Sequence, residues 1–258
     1  MIGLGLGTNR IYRSGSGFDA AYQAVLSRAS TLGYSTPSVN QQVLQNTLVS
    51  TLKAEGIWNE LDALYITATD GDKDYATINW ISPADFQLSQ IGALVFTTNQ
   101  GFKGNASNAT LNTGIVMGTD TTKFNTSTRE GSIGGWAYDT KAAGSNALFG
   151  DLVSVNNLRG GTSDAIMGKA VGYGITTTGL YWMNISGNDQ TQYLDNQVVA
   201  QGSNATGAIT TLNTMHLLSE GGAGYFSSDK IAIFFIGGDL SAKSSAVYNA
   251  FNTYMTAL

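Results

Sequence analysis

Residues Asp229–Leu258 read DKIAIFFIGGDLSAKSSAVYNAFNTYMTAL and contain both kinds of regular structure that the chain is expected to use. Ile231–Ile236 is the longest unbroken apolar stretch in the sequence, and its β-branched and aromatic residues predict a strand. Gly237-Gly238-Asp239 predicts a turn after it. Apolar residues then recur at helical spacing and predict a C-terminal helix: Val247, Ala250, Phe251, Tyr254, Met255 and Leu258. We expect this stripe to pack on the sheet, with contact to a neighbouring subunit as the alternative.

Upstream of this stretch, from about Ile91, short β segments alternate with turns rich in Gly, Asn, Ser and Thr. Many short strands at modest spacing predict a β-sandwich or a barrel. The predicted strands are Gly92–Thr98, Gly114–Met117, Gly131–Tyr138, Ala147–Ser154, Asp164–Tyr173, Gly179–Ser186, Gln192–Gln201, Met215–Leu218 and Lys230–Ile236.

The segment before these strands, from Phe18 to Thr67, has helical periodicity. Its first predicted helix has an apolar face and ends at Gly33. Thr36-Pro37 supplies an N-cap residue and a proline at the first helical position, so a second helix is expected to run to Gly56. A further packed helical piece is predicted from the apolar residues Trp58, Leu61, Leu64 and Tyr65.

The composition changes after Asp70-Gly71-Asp72-Lys73-Asp74, whose residues predict a turn or a linker. We therefore expect three parts. Residues 1–17 form a glycine-rich arm, residues 18–75 a helical region, and residues 76–258 a β-sandwich with the C-terminal helix.

The charge and cysteine content exclude several classes of protein. The chain of 258 residues has 12% charged residues and a net charge of −5, with one histidine and no cysteine. Its 13 Lys and Arg are thinly spread, so we expect no nucleic-acid partner, because phosphate binding needs a concentrated basic face. The apolar stretches are too short for a membrane span, and no membrane partner is expected. Disulfides, thiolate sites and a zinc site built from several histidines are excluded.

Two segments resemble a group of bacteriophage virion proteins. Leu44–Tyr65, read as LQNTLVSTLKAEGIWNELDALY, is similar to the helical segment that precedes their β-sandwich, and Asp229–Leu258 is similar to their closing strand and helix. The first match is carried by Leu48, Leu52, Gly56, Ile57, Trp58, Leu61, Leu64 and Tyr65. The second is carried by Ile231, Ile236, Gly237, Leu240, Val247, Tyr248, Phe251, Tyr254 and Leu258. The chain departs from the pattern at residues 108–111, where the group usually has an aromatic residue.

The resemblance implies a mainly β fold: a concanavalin-A-like jelly-roll β-sandwich, preceded by a short helical region and closed by a C-terminal helix. It implies a virion protein with other virion proteins as partners, acting as a head decoration, head fibre or tail-associated component. A module that binds host glycans is the alternative. A symmetric homo-oligomer, such as a trimer, is expected on general grounds. We expect the N-terminal arm to dock on the particle through Met1, Ile2, Leu4, Leu6, Ile11 and Tyr12.

Two groups of residues are candidates for ligand binding. Stacking on a sugar ring is predicted for four aromatic residues, with core packing as the alternative for each: Trp136, Tyr138, Tyr181 and Trp182. Asp70, Asp72 and Asp74 alternate as in the first half of a calcium loop, but Tyr75 and Ile81 stand where an EF-hand needs Gly and Glu. A shallow structural calcium site and a solvated turn are the alternatives for these aspartates.

Residues with catalytic chemistry are few. Concanavalin-like sandwiches include glucanases, whose two carboxylates must face one cleft. Glu130 and Glu220 each precede a glycine and have no carboxylate two or four residues further on. His216 lies in an apolar strand context that is typical of a structural histidine. We therefore expect no enzyme and no cofactor, with a polysaccharide-degrading enzyme as the remaining alternative.

Overall fold

The computed structural model describes residues 17–138, 147–151, 159–161, 177–203 and 213–258. The helices are α1 (Ala20–Leu32), α2 (Val39–Ala54) and α3 (Ser244–Thr256). Side chains cap the first two, since Asp19 accepts the N–H of Ala21 and Ser38 accepts the N–H of Gln41. Within the described part of the chain, none of the helices has the length and apolar character needed to traverse a bilayer.

The strands form two antiparallel sheets. In chain order they are β1 (Leu61–Ile66), β2 (Ser89–Ile91), β3 (Val95–Thr97), β4 (Gly101–Lys103), β5 (Thr110–Val116), β6 (Glu130–Ala137), β7 (Ala147–Gly150), β8 (Arg159–Gly161), β9 (Gly179–Ser186), β10 (Asp189–Leu194), β11 (Gln197–Ser203), β12 (Thr214–Leu217) and β13 (Lys230–Gly237). The large sheet has the order β11-β10-β9-β6-β13-β4-β3, with β1 also paired to β13. The small sheet has the order β2-β5-β12-β7-β8. This architecture confirms the predicted mainly β sandwich with short N-terminal helices and a C-terminal helix.

β13 lies in the middle of the large sheet and is buried along its whole length. One of its edges pairs with β6, and the other pairs first with β4 and then with β1. Phe234 packs between the sheets, whereas Phe235 packs against the helices. A register shift between Ile231 and Ile233 interrupts the alternation, so Ala232 and Ile233 both face the helices. The molecule is therefore built in three layers, with the large sheet in the centre.

Each face of the large sheet has its own hydrophobic core. Between the sheets, the large fully buried side chains include Tyr65, Phe102, Phe124, Phe149 and Phe234. Between the large sheet and the helices, they include Tyr22, Trp80, Trp182, Phe235 and Phe251. Because both faces are covered, strands of this sheet do not show the alternation of polar and apolar residues that a half-exposed strand would have.

The structure corrects the predicted helical piece at Trp58–Tyr65. Only Trp58–Glu60 forms a single 3-10 turn, and Leu61 begins strand β1, which pairs with β13. Leu64 faces the helices and Tyr65 faces the small sheet, so both faces of the strand are apolar. A short apolar run of this kind has no period that separates a strand from a helix. The sheet therefore begins within residues 18–75, which were expected to be helical.

The predicted strand Gln192–Gln201 is a hairpin. β10 ends at Leu194 and β11 begins at Gln197, with these two residues paired across the turn. Asp195 adopts a positive φ of 55°, a conformation that Asp and Asn tolerate better than most residues. The predicted strand Asp164–Tyr173 lies outside the described residues, as do the last three residues of Ala147–Ser154.

A buried carboxamide joins the three helices. Gln45 on α2 is fully buried, and its Oε1 accepts hydrogen bonds from the hydroxyls of Tyr22 at 2.7 Å and Tyr75 at 2.8 Å. Its Nε2 donates to Thr69 Oγ1 and to the Tyr254 hydroxyl, both at 3.2 Å. All four hydrogen-bonding positions of the side chain are used. Burial raises the pKa of all three tyrosines, so their hydroxyls stay neutral.

Replacing Gln45 by leucine should lower the free energy of unfolding by about 2–4 kcal/mol, because several buried hydroxyls lose a partner at once. Gln23→Leu, at an exposed position of α1, is the control and should change stability by less than about 1 kcal/mol. Urea unfolding followed by circular dichroism measures both. Equal stability of the two variants would show that this network contributes nothing to the packing of the helices.

Candidate functional site

Polar side chains replace apolar ones towards one end of the large sheet, on the face that the helices cover elsewhere. Trp182 of β9 and Tyr193 of β10 are paired in register, and their rings stack with centroids 4.0 Å apart. The next two cross-strand rows of β6, β9, β10 and β11 are entirely polar. The inner row is Ser132, Asn184, Thr191 and Gln201, and the outer row is Glu130, Ser186, Asp189 and Ser203. Paired residues point to the same face, so these eight residues, here named the polar rows, lie on one face of the sheet.

The polar-row residues Ser132 of β6 and Asn184 of β9 are fixed by the turn that follows β13. Asn184 Oδ1 accepts hydrogen bonds from Ser132 Oγ at 2.6 Å and from the N–H of Leu240 at 3.0 Å. Burial by itself would raise the pKa of Asp239, but hydrogen bonds from Ser241, Asn184 and other neighbours outweigh it and lower that pKa. Hydrogen bonds to each other and to the backbone of Leu240 therefore hold the buried Ser132 and Asn184 in one geometry.

The members of the polar rows on β10 and β11 border a cleft of about 390 Å³ at the open end of the β10–β11 hairpin. It is lined by Asp189, Gln190, Thr191, Gln201, Gly202 and Ser203. Ser203 Oγ donates to Asp189 Oδ1 at 2.8 Å. The exposed Gln201 carboxamide makes no hydrogen bond with any described residue. The cleft thus offers a carboxylate, a free carboxamide and hydroxyls, and its volume lies within the usual range for small-ligand sites.

Two carboxylates also lie in one row of the sheet. Glu130 and Asp189 lie in the same polar row, one on either side of Ser186. Two strand spacings separate their backbones by about 10 Å. This arrangement could not be read from the sequence, because the two residues are on non-adjacent strands. Both side chains are exposed.

The four aromatic residues predicted to stack on sugars do not form an exposed face. Trp136, Tyr181 and Trp182 are buried, and Tyr138 is half-buried with Lys230 Nζ 5.6 Å from its ring centre. Tyr181 points between the sheets and Trp182 towards the helices. Adjacent strand residues do alternate, but both faces of this sheet are covered. The sequence could not reveal that, and the three buried rings present no open face to a ligand.

The aspartates of residues 70–74 act as acceptors that join two loops. Their carboxylates accept hydrogen bonds from three separate groups: the N–H of Ser38 for Asp70, the N–H of Ser35 for Asp72, and the Nε2 of Gln90 for Asp74. Among the residues that the structure describes, no group of three or more His, Asp and Glu could hold a metal ion. Their geometry is that of a turn that fixes the start of α2. The predicted docking residues Met1, Ile2, Leu4, Leu6, Ile11 and Tyr12 lie outside the described residues.

His216 is buried in a hydrogen-bonded cluster on the small sheet. Its Nδ1 lies 3.1 Å from Thr110 Oγ1 and its Nε2 lies 3.2 Å from Thr214 Oγ1. Thr110 Oγ1 also lies 2.6 Å from Ser219 Oγ, which is fully buried. A Cβ on Gly222 would be 2.6 Å from the ring, so the glycine turn closes directly over it. Both ring nitrogens are satisfied and Ser219 is inaccessible, which supports a structural histidine.

Comparison with known proteins adds evidence on the fold. No family model and no curated sequence matches the chain. Among solved structures, a mutant of Trypanosoma rangeli sialidase displaying trans-sialidase activity matches with a TM-score of 0.54 at 10% identity, over 84% of this chain and 40% of that one. Domain 4 of a GH43 extracellular arabinanase from Geobacillus stearothermophilus, in complex with arabinotriose, has a TM-score of 0.48 at 12% identity, over 74% and 98%. The binding domain of botulinum neurotoxin serotype D has 0.47 at 11% identity, over 75% and 52%.

The chain thus spans about 40% of the length of the sialidase that it matches. At 10% identity, this likeness shows the fold alone, and it agrees with the predicted jelly-roll type of β-sandwich. The relationship to phage virion proteins stays a prediction.

Burial lowers the pKa of His216 to about 4, well below its value of 6.5 in an unfolded chain. Between these two values the unfolded chain binds a proton that the folded chain does not, so the free energy of unfolding should fall as the pH falls from 6.5 to 4. This contribution is fully present above pH 6.5 and is lost as the pH falls towards 4; between pH 7.5 and pH 4.5 (~0.5 unit above the folded pKa) the loss is about 2–3 kcal/mol. We expect the decrease to be smaller by that amount in His216→Gln, which has no titrating ring.

Urea unfolding of the wild type and of His216→Gln at pH 7.5, 5.5 and 4.5 measures this difference, and the lowest pH is ~2 units below the reference pKa of histidine. Carboxylates contribute equally to both, so only the difference in slope counts. Parallel curves would mean that His216 titrates normally in the folded chain.

Proposed function

We propose that the chain is a non-catalytic module that binds neutral glycans, and that the polar rows with their cleft are its binding surface. The observation that carries this proposal is the register itself. Four adjacent strands bring eight polar side chains into two rows beside an open cleft of about 390 Å³. Six of these side chains are at least partly exposed, whereas Ser132 and Asn184 are buried and hold the turn that follows β13.

The chemistry of the rows matches that of a sugar. A pyranose ring presents neighbouring hydroxyl groups that both donate and accept, and carboxylate, carboxamide and hydroxyl side chains together provide both complements. Asp189 and Glu130 make the surface rich in acceptors, so a neutral sugar fits it better than an anionic one. The net charge of −5 also disfavours an anionic ligand.

Asp189→Ala and Gln201→Ala should each weaken glycan binding about tenfold, because each removes one or two direct hydrogen bonds. Gln197→Ala is the matched control: it is exposed on the same strand, β11, but lies at the opposite end. Affinity is measured by titration calorimetry on a neutral oligosaccharide selected from an array of bacterial polysaccharides. Equal loss in all three variants would place the binding surface elsewhere.

A flat array would remove the glycan-binding proposal and favour a purely structural role. The same samples are assayed for released reducing ends, because the shared row of Glu130 and Asp189 gives a hydrolase a specific structural basis. Release that stops in both Glu130→Gln and Asp189→Asn would replace binding with catalysis as the function.

We further propose that this module is carried on a phage particle, as a head decoration, head fibre or tail-associated protein. What supports it is the similarity of Leu44–Tyr65 and Asp229–Leu258 to segments of such proteins. Immunogold labelling of purified particles with antibodies against the recombinant chain should show regular sites on the head or tail. Particles without label, in a preparation whose lysate contains the chain, would remove this assignment.

A further inference from the structure

We propose that the ligand is a linear oligosaccharide that runs from the first cleft along the polar rows into a second cleft formed by residues 118–127. This inference rests on the proposed glycan binding and specifies the class of glycan. It assigns a separate subsite to the loop that precedes β6.

The second cleft has a volume of about 220 Å³ and is lined mainly by threonine, asparagine and serine residues of the loop 118–127. Two of its hydroxyls are already committed, since Thr121 Oγ1 donates to a backbone carbonyl and Thr122 Oγ1 donates to Asp62. The hydroxyls of Thr126 and Ser127 make no hydrogen bond with any described residue. These two groups are therefore available to a ligand.

The loop and the polar rows are directly connected. Asn125 and Glu130 exchange both backbone hydrogen bonds, at 2.7 and 3.0 Å, and Glu130 is the first member of the outer polar row. Arg129 Nε donates to the carbonyl of Gly187, and the N–H of Gly187 donates to the carbonyl of Arg129. The loop is thereby joined to the β9–β10 turn. The second cleft, the outer row and the first cleft all lie at the same end of the large sheet.

The loop is held in position before any ligand arrives. The carboxylate of Asp62, on β1, accepts the N–H groups of Thr122 at 2.8 Å, Lys123 at 3.0 Å and Phe124 at 2.7 Å. The side-chain carbonyl oxygen of Asn125 accepts a hydrogen bond from the N–H of Ser127 at 2.9 Å. A preformed loop loses little conformational entropy on binding, which favours its use as a subsite.

The length of the surface argues for a chain rather than one sugar. The rows cross four strands, which places their ends about 14 Å apart before the loop is added. A single sugar ring would contact only part of this distance. An extended oligosaccharide would contact both clefts at once, and the second contact would add to the affinity of the first.

The test compares the neutral glycan that the wild type binds, in a series from monosaccharide to hexasaccharide, by titration calorimetry. We expect affinity to rise with length and then level off. The double variant Thr126→Val/Ser127→Ala should bind the monosaccharide as the wild type does and bind the longest member about tenfold more weakly. Ser50→Ala/Thr51→Val on α2 is the matched control, because it removes one serine and one threonine hydroxyl at positions that line neither cleft.

The outcomes separate the two proposals. A wild type that binds no glycan overturns the proposed function and this inference with it. A wild type that binds short and long ligands equally, or a double variant that binds the longest ligand normally, overturns the second subsite while glycan binding at the polar rows stands. Thermal unfolding of the double variant shows whether a loss of binding arises from misfolding. If it does, Asn125→Ala is the second variant, because it removes the side-chain acceptor of the Ser127 N–H and so frees the loop.

Discussion

The architecture follows from the burial of β13 on both of its faces. A strand that reads KIAIFFIG has no side that tolerates water, so it requires a second sheet on one side and helices on the other. The fold satisfies this requirement with two cores that share one sheet. The helices are therefore a structural part of the sandwich, although they precede and follow it in the chain. The bulge at Ala232 and Ile233 moves one extra apolar side chain to the helical side.

The sequence predicted those elements whose apolar residues have a clear period. The stripe of α3, the apolar run of β13 and the stop at Gly33 all appear where the pattern placed them. β1 was missed because a strand that is apolar on both faces has the same short pattern as a buried helical turn. The β10–β11 hairpin was missed because its turn, Asp195-Asn196, lacks a glycine, and only the positive φ of Asp195 reveals it.

The candidate site was beyond prediction from one sequence for a different reason. Its members are unremarkable polar residues on four strands, and they become a surface only when the register aligns them. Asp189 and Glu130, for example, are far apart in the chain and have no motif in common. The aromatic residues had a recognisable chemistry, yet Trp136 and Trp182 belong to the core, because helices cover the face to which they point. The aromatic residue types suggested a sugar ligand, but burial keeps Trp136 and Trp182 from contacting one.

The stack of Trp182 on Tyr193 lies in the row next to the polar rows, and its rings are almost parallel, at 9°. Indole emission responds to a stacked neighbour and to nearby charges and dipoles. Tyr193 in turn lies close to Thr191, a member of the inner row. A ligand at the sheet end would therefore alter the surroundings of a fluorophore that is itself shielded from solvent.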